Sequence, residues 1–199
     1  MKHRFFTPIL LFTLLISVLA GFAPVLADSH SNRGGTLIFG RGGDSVGLDP
    51  AHEEDGESFK VCDNIYDTLV QYKDESTDLE PALATSWESS EDGLIWTFHL
   101  RRGVTFHDGT PFNAEAVLFS LNRQHDETHP FHKVGGSYIY WIATGLAEIV
   151  DKITAVDDFT VQIHLKTAYA PFIYTIAITP VTPNTVSYTH LTLPTICSV

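Results

Sequence analysis

Glu91-Asp92-Gly93-Leu94-Ile95-Trp96-Thr97-Phe98-His99-Leu100-Arg101-Arg102-Gly103-Val104-Thr105-Phe106-His107-Asp108-Gly109-Thr110-Pro111-Phe112-Asn113-Ala114-Glu115 decides how this chain folds. Glu91-Asp92-Gly93 is a turn signal. From Ile95 to Leu100 the residues alternate, with Trp96, Phe98 and Leu100 on one face and Ile95, Thr97 and His99 on the other. That alternation predicts a strand with one strongly apolar side. Arg102-Gly103 turns the chain into a second short strand, Val104-Thr105-Phe106. His107 to Pro111 turns it again, and Asn113 is placed to cap a helix through Ala116, Val117, Phe119, Ser120 and Leu121. The apolar strand face then has a helix to pack against.

Working outward, Thr36-Leu37-Ile38-Phe39-Gly40 reads as a buried strand, and Arg41 to Pro50 as a Gly-rich loop. Phe59, Cys62, Ile65, Tyr66, Leu69 and Val70 recur at spacings of three and four, which predicts a helix over 58–70. On the other side, Asp126 to Gly136 is a polar loop and Tyr138 to Val150 a partly helical aromatic stretch. Ile149 to Val156 and Thr160 to Leu165 form two strands joined at Asp157-Asp158. A last helix opens at Ala170-Pro171-Phe172 with Pro171 near its first turn. Strands and helices mix without strict alternation, which predicts a mixed α+β or α/β region.

The first residues have a different character. Lys2 and Arg4 precede an apolar run, Ile9 to Phe22, broken only by Thr13 and Ser17; it is too short to span a bilayer comfortably. Val25-Leu26-Ala27 follows with small residues where a signal peptidase reads. Residues 1–27 are therefore a cleavable signal peptide, with cleavage after Ala27 and a periplasm-like destination. With 12 Lys+Arg against 24 Asp+Glu the chain carries a net charge of −12, which disfavours phosphate backbones and argues against nucleic acid as a partner. Cys62 sits in an apolar-periodic stretch and reads as a small buried hydrophobe. Val186 to Val199, which holds Cys197, reads as translated sequencing-adapter sequence. Residues 181–199 are set apart as a non-native tail, which leaves Cys62 without a partner in the chain.

Several separated stretches, in order, resemble the family 5 extracellular solute-binding proteins, the dipeptide, oligopeptide and nickel-binding components of ABC importers. They are Leu48-Asp49-Pro50; Asn64-Ile65-Tyr66-Asp67-Thr68-Leu69-Val70; Ala84-Thr85-Ser86-Trp87-Glu88; the decisive stretch quoted above; Val156-Asp157-Asp158-Phe159-Thr160-Val161; and Ala170-Pro171-Phe172. Asn122-Arg123-Gln124, Pro130 to Val134 and Gly136-Ser137-Tyr138 resemble the dipeptide- and haem-binding subgroup most. Ala116 departs from the pattern, where the family usually carries Asp. The resemblance implies the N-terminal part of a type II periplasmic-binding-protein-like clamshell, incomplete, with its extra domain. Residues 28–50 would be the first strand-loop of lobe I, and 51–180 the extra α+β domain. The second lobe, with the acidic residue that anchors a dipeptide's amino group, is missing. The resemblance further implies a monomeric peptide-binding component without cofactor, delivering peptide to a membrane permease and ATPase. Haem, nickel or oligosaccharide are alternative ligands.

Residues with chemistry of their own are few. His125, His129 and His132 form His-x3-His-x2-His, which invites a metal-dependent hydrolase reading. Pro130 breaks any helix aligning them, and no carboxylate or Cys spacing completes a site, so no metal site is assigned. Asp44, Glu53, Glu54 and Asp55 read as a solvated acidic loop in preference to an acid/base pair. Neither a nucleophile elbow nor a phosphate-binding loop occurs, and no catalytic residue is assigned. The Gly-rich loop is the candidate site. Gly43, Asp44, Ser45 and Val46 would expose backbone N–H and C=O groups with which a peptide could pair as an added strand. In the resembled family this first crossover lines the cleft between the lobes. An ordinary turn fits the same residues.

Overall fold

The computed structural model describes residues 38–183. The chain forms two units divided between Gly40 and Arg41. In the first, only Ile38–Gly40 are described. The strand expected there is absent over those residues, and Ile38 and Phe39 are exposed. A lone apolar run has no ladder to join without a neighbouring strand. The signal peptide, with its cleavage site, lies outside the described residues.

In the second unit the first helix, α1 (Gly56–Ile65), is opened by Asp55, whose extended backbone and carboxylate cap the N–H groups of Glu57 and Ser58. The helix is shorter than the sequence predicts. Tyr66 donates its N–H to the Cys62 carbonyl and turns extended. The apolar residues that prolonged the helical pattern, Leu69 and Val70, are buried outside the helix. Val70 starts β1 (Val70–Tyr72), which pairs antiparallel with β2 (Leu79–Pro81). A short apolar run fits either period, and tertiary burial decides between them.

Strands β3 (Ala84–Ser89) and β4 (Ile95–Leu100) form a hairpin. Its turn is held by Asp92, which accepts from the Ser90 hydroxyl and the Leu94 N–H, while Gly93 takes the left-handed conformation, φ 68°. The second short strand expected at 104–106 does not form. Thr105 makes a single bridge to Pro111, inside a loop closed by Phe106 N–H to Thr110 and Phe112 N–H to Val104. Pro111 has no N–H to extend a ladder, and the Asp108-Gly109 turn folds the run back on itself.

Asn113 caps helix α2 (Ala114–His125) as the sequence predicts, its side chain accepting from the Ala116 N–H at 3.1 Å. Short helices α3 (Ile139–Ala143) and α4 (Leu146–Ile149) lead into β5 (Val150–Asp157) and β6 (Thr160–Leu165), and α5 (Phe172–Ile176) follows. Strands β3-β4-β6-β5, in that spatial order, make one antiparallel sheet. Its buried face carries Phe98 and Leu100 from β4, Ile153 from β5, and Val161, Ile163 and Leu165 from β6. Phe98 lies opposite Val161, and Ile153 opposite Ile163. Full burial of each such side chain contributes roughly 1.5–3 kcal/mol.

Helix α2 covers this sheet chiefly over β5 and β6, placing Val117 and Leu121 in the same core as Phe98 and Leu100. Trp96, expected to meet the same helix, packs instead against Phe172 of α5, ring centroids 5.5 Å apart. Cys62 is fully buried with a free thiol. Val181 and Thr182, assigned from the sequence to the non-native tail, are buried, and Val181 donates to the Asp67 carbonyl, so the packed region runs through Thr182. Residues 184–199, Cys197 among them, lie outside the described residues.

Candidate functional site

The Gly-rich loop is seated on the first turn of α1. The Ser58 hydroxyl accepts from the N–H groups of Val46, at 2.9 Å, and Gly47, at 3.4 Å. Arg41 Nη1 donates to the Ser45 hydroxyl at 3.0 Å and to the Glu57 carbonyl at 3.1 Å. Ser45 donates to that carbonyl in turn. Asp55 fixes Ser58 by accepting its N–H at 2.8 Å. Hydrogen bonds from Ser58, and then from the Glu57 N–H, hold the Asp55 carboxyl below its ordinary value. Gly43, Asp44 and Val46 are exposed, whereas Ser45 is half-buried against the helix. Four residues named from the sequence therefore lie together on one loop. Two of them, Ser45 and Val46, already spend polar groups on the scaffold. The residues that hold the loop, Arg41, Glu57 and Ser58, were not singled out from the sequence. The signal for Ser58 is a small hydroxyl residue three places after a capping Asp, a helix position at which a buried side chain can reach back to the preceding loop.

Three residues further on, Asp49 enters a buried polar cluster. Its carboxylate takes both guanidinium nitrogens of Arg123, the Nη2–Oδ1 distance being 2.6 Å, and also the Ala51 N–H. Arg123 Nη2 donates to Thr182 Oγ1 at 3.1 Å, and the Thr182 N–H donates to Ser120 Oγ at 3.0 Å. Burial alone would raise the Asp49 carboxyl. The hydrogen bonds and charge of Arg123, aided by His52 and the Ala51 N–H, outweigh it and hold the group below its ordinary value. His52 stacks on Tyr138 with centroids 4.4 Å apart. The sequence marks Leu48-Asp49-Pro50 and Asn122-Arg123-Gln124 as motifs without joining them. The available signal is an arginine on an amphipathic helix beside apolar-face positions, which demands an acid partner if buried.

The other residues with chemistry do not converge. His125 Nε2 faces the Asp151 carbonyl, His129 Nδ1 accepts from the Phe131 N–H, and His132 Nδ1 faces the Arg123 carbonyl. Among the described residues no group of three or more His, Cys, Asp or Glu is arranged to hold a metal ion. Of the acidic quartet, Asp44 and Glu54 are exposed, Asp55 caps α1 and Glu53 is buried, so the expected solvated acidic loop holds for only part of it. A surface cavity of about 400 Å³ lies between Phe59, Tyr66, Tyr140 and Pro180, and another of about 240 Å³ between Tyr66, Phe106, Phe112 and Val181. No residue of the 41–47 loop lines either. Among the described residues no helix is long and apolar enough to cross a membrane.

The chain is 41% identical to heme-binding protein A of Haemophilus influenzae, over 73% of this chain and 28% of that protein. It is 40% identical to the dipeptide-binding protein of Escherichia coli K12, over 71% of this chain and 28% of that one. Among solved structures, it resembles the ABC transporter-associated periplasmic binding protein DppA of Helicobacter pylori in complex with peptide STSA. The TM-score is 0.70 and the identity 41%, over 78% of this chain and 32% of that one. It also resembles the dipeptide-binding protein of Pseudoalteromonas sp. SM9913 in complex with Met-Leu. There the TM-score is 0.69 and the identity 29%, over 74% of this chain and 31% of that one. The fold is thus that of a periplasmic binding protein, and the chain spans 28% of the length of each of these two curated relatives. Residues 78–193, more than half of the chain, match the bacterial extracellular solute-binding proteins, family 5 Middle, and the chain belongs to that family.

Proposed function

We propose that the protein is the substrate-binding component of an ABC importer, exported by cleavage of residues 1–27 to a periplasm, where as a monomer it captures di- or oligopeptides and delivers them to a membrane permease and its ATPase. The observation that carries the peptide reading is the 41–47 loop. It presents the exposed backbone of Gly43 and Asp44 from a fixed seat on α1, a surface that pairs with a peptide backbone irrespective of side chains. The relatives named for dipeptides, and the two structural neighbours holding STSA and Met-Leu, support the same ligand class. All are binding proteins, so the chemistry is capture without turnover.

Within this reading residues 28–50 supply a strand-loop of lobe I, and 51–180 are a domain inserted after it. Asp49, just before the insertion, and Thr182, just after it, both bond Arg123 inside it, which supports incoming and outgoing segments that run side by side. A clamshell binder encloses its ligand between two lobes.

Isothermal titration of the full-length gene product with a panel of di- and tripeptides tests the proposal, and saturable binding is expected. One observation favours a second reading, the 41% identity to a protein named for haem. A haem titration followed by its absorption band separates the two, and haem binding without peptide binding would overturn the first.

A further inference from the structure

We infer that Ser58 is the positioning residue of the peptide-facing loop: one buried hydroxyl on α1 sets which backbone groups of 41–47 remain for ligand. This rests on the peptide-binding reading above and deepens it.

Ser58 is fully buried, on the third residue of α1, with its own N–H held by Asp55. Its side chain therefore has little freedom. The oxygen collects two consecutive N–H groups, those of Val46 and Gly47. At the opposite end of the loop Arg41 ties down the Ser45 hydroxyl. Between these anchors the backbone N–H and C=O groups of Gly43 and Asp44 make no hydrogen bond among the described residues. Both residues are exposed. A loop fixed at both ends, with two unspent peptide groups between, loses less conformational freedom on binding than a free one. Val46, although its side chain is 85% exposed, has no backbone N–H left to offer. The Val46 N–H is thus lost from the candidate site to the mooring, the Ser45 hydroxyl is held beside it, and the exposed backbone left for peptide pairing within 43–46 centres on Gly43 and Asp44.

The test uses the full-length gene product, titrated with the dipeptide Ala-Ala, alongside hydrogen exchange at individual amides. Ser58→Ala is expected to weaken Ala-Ala binding about tenfold, the scale of one or two lost hydrogen bonds. It is also expected to speed exchange at Val46 and Gly47 while Phe98 and Leu100 in the core exchange as before. General destabilisation would speed all four. Unchanged affinity, or exchange accelerated everywhere alike, overturns the inference. Should Ser58→Ala not fold, Val46→Pro removes the same N–H···O bond from the exposed side, and unchanged affinity there overturns it too. If the unsubstituted protein binds no peptide, the peptide-binding reading itself has failed, a result distinct from either.

Discussion

Arg123 fastens Asp49 across 74 residues of sequence, donating through both guanidinium nitrogens to one carboxylate, and neither side chain is more than 2% exposed. The same guanidinium reaches Thr182, so one side chain of α2 ties the segment before α1 to the segment after α5. Removing one partner leaves the other charge buried and uncompensated. Arg123→Met and Asp49→Asn should each lower unfolding free energy by about 3–5 kcal/mol. The double variant Asp49→Asn/Arg123→Met should lose clearly less than the sum, because it strands no charge. Urea unfolding of the four proteins checks this, and additive losses would show that the pair is not coupled.

The pair also fixes a direction for acid sensitivity. Asp49 has a carboxyl lowered in the folded state, because Arg123 more than offsets its burial. A lowered group contributes stability above its unfolded value, near 3.9, and loses that contribution as pH falls through the lower folded value. Asp92, Asp126 and Asp157 are lowered as well, each by local hydrogen bonds, so acid unfolding of the wild type alone does not isolate Asp49. The comparison with Asp49→Asn does. The stability gap between the two proteins should be constant from about pH 5 to 7 and narrow below about pH 4. A gap that stays wide into acid would contradict the assignment.

Cys62 offers a probe of the α1 packing. Burial, followed by the charges of Glu53 and other nearby carboxylates, pushes its thiol up to about 12. The thiolate is the nucleophile, so at pH 8 Cys62 of the folded protein, in a Cys197→Ser background, should react very slowly with a disulfide reagent. Labelling should become fast only as urea unfolds the chain, with a midpoint matching that of the global transition. Rapid labelling in native buffer would mean that α1 opens on its own.

These tests fall on features that the sequence disclosed unevenly, for physical reasons. The β4 strand and the Asn113 cap were legible because each is decided locally: alternation over six residues in one case, a side chain reaching its own helix in the other. The end of α1 was not legible. Leu69 and Val70 continue a helical spacing, yet the pairing of Val70 with Pro81 takes Val70 into a sheet. Phe106 is similar, since its strand-like run needs a ladder that Pro111 cannot supply. The candidate loop was legible as glycine-rich and exposed. Its mooring was not, because Ser58 lies 12 residues from Val46, and only the packed helix brings them together. Asp49 and Arg123 each stood in a recognisable motif, and their partnership is a long-range contact that no local pattern encodes.

The relative weight of packing and capping can be ranked by two substitutions on either side of the same core. Asn113 caps α2 through one bond to the Ala116 N–H, and Asn113→Ala should cost about 0.5–2 kcal/mol. Asn113→Asp keeps an acceptor at that position and adds a negative charge at the helix N-terminus, so it should cost less than Ala. Phe98 is fully buried opposite Val161, and Phe98→Ala removes a ring from the core face of the sheet. Its cost should be about 3–5 kcal/mol. If the thermal midpoints order as wild type, Asn113→Asp, Asn113→Ala, Phe98→Ala, the fold is held first by the buried sheet face and only secondarily by the helix start. An Asn113→Ala loss as large as that of Phe98→Ala would reverse this order. It would mean that α2, which carries Arg123 as well as Val117 and Leu121, depends on its first turn to reach the core at all.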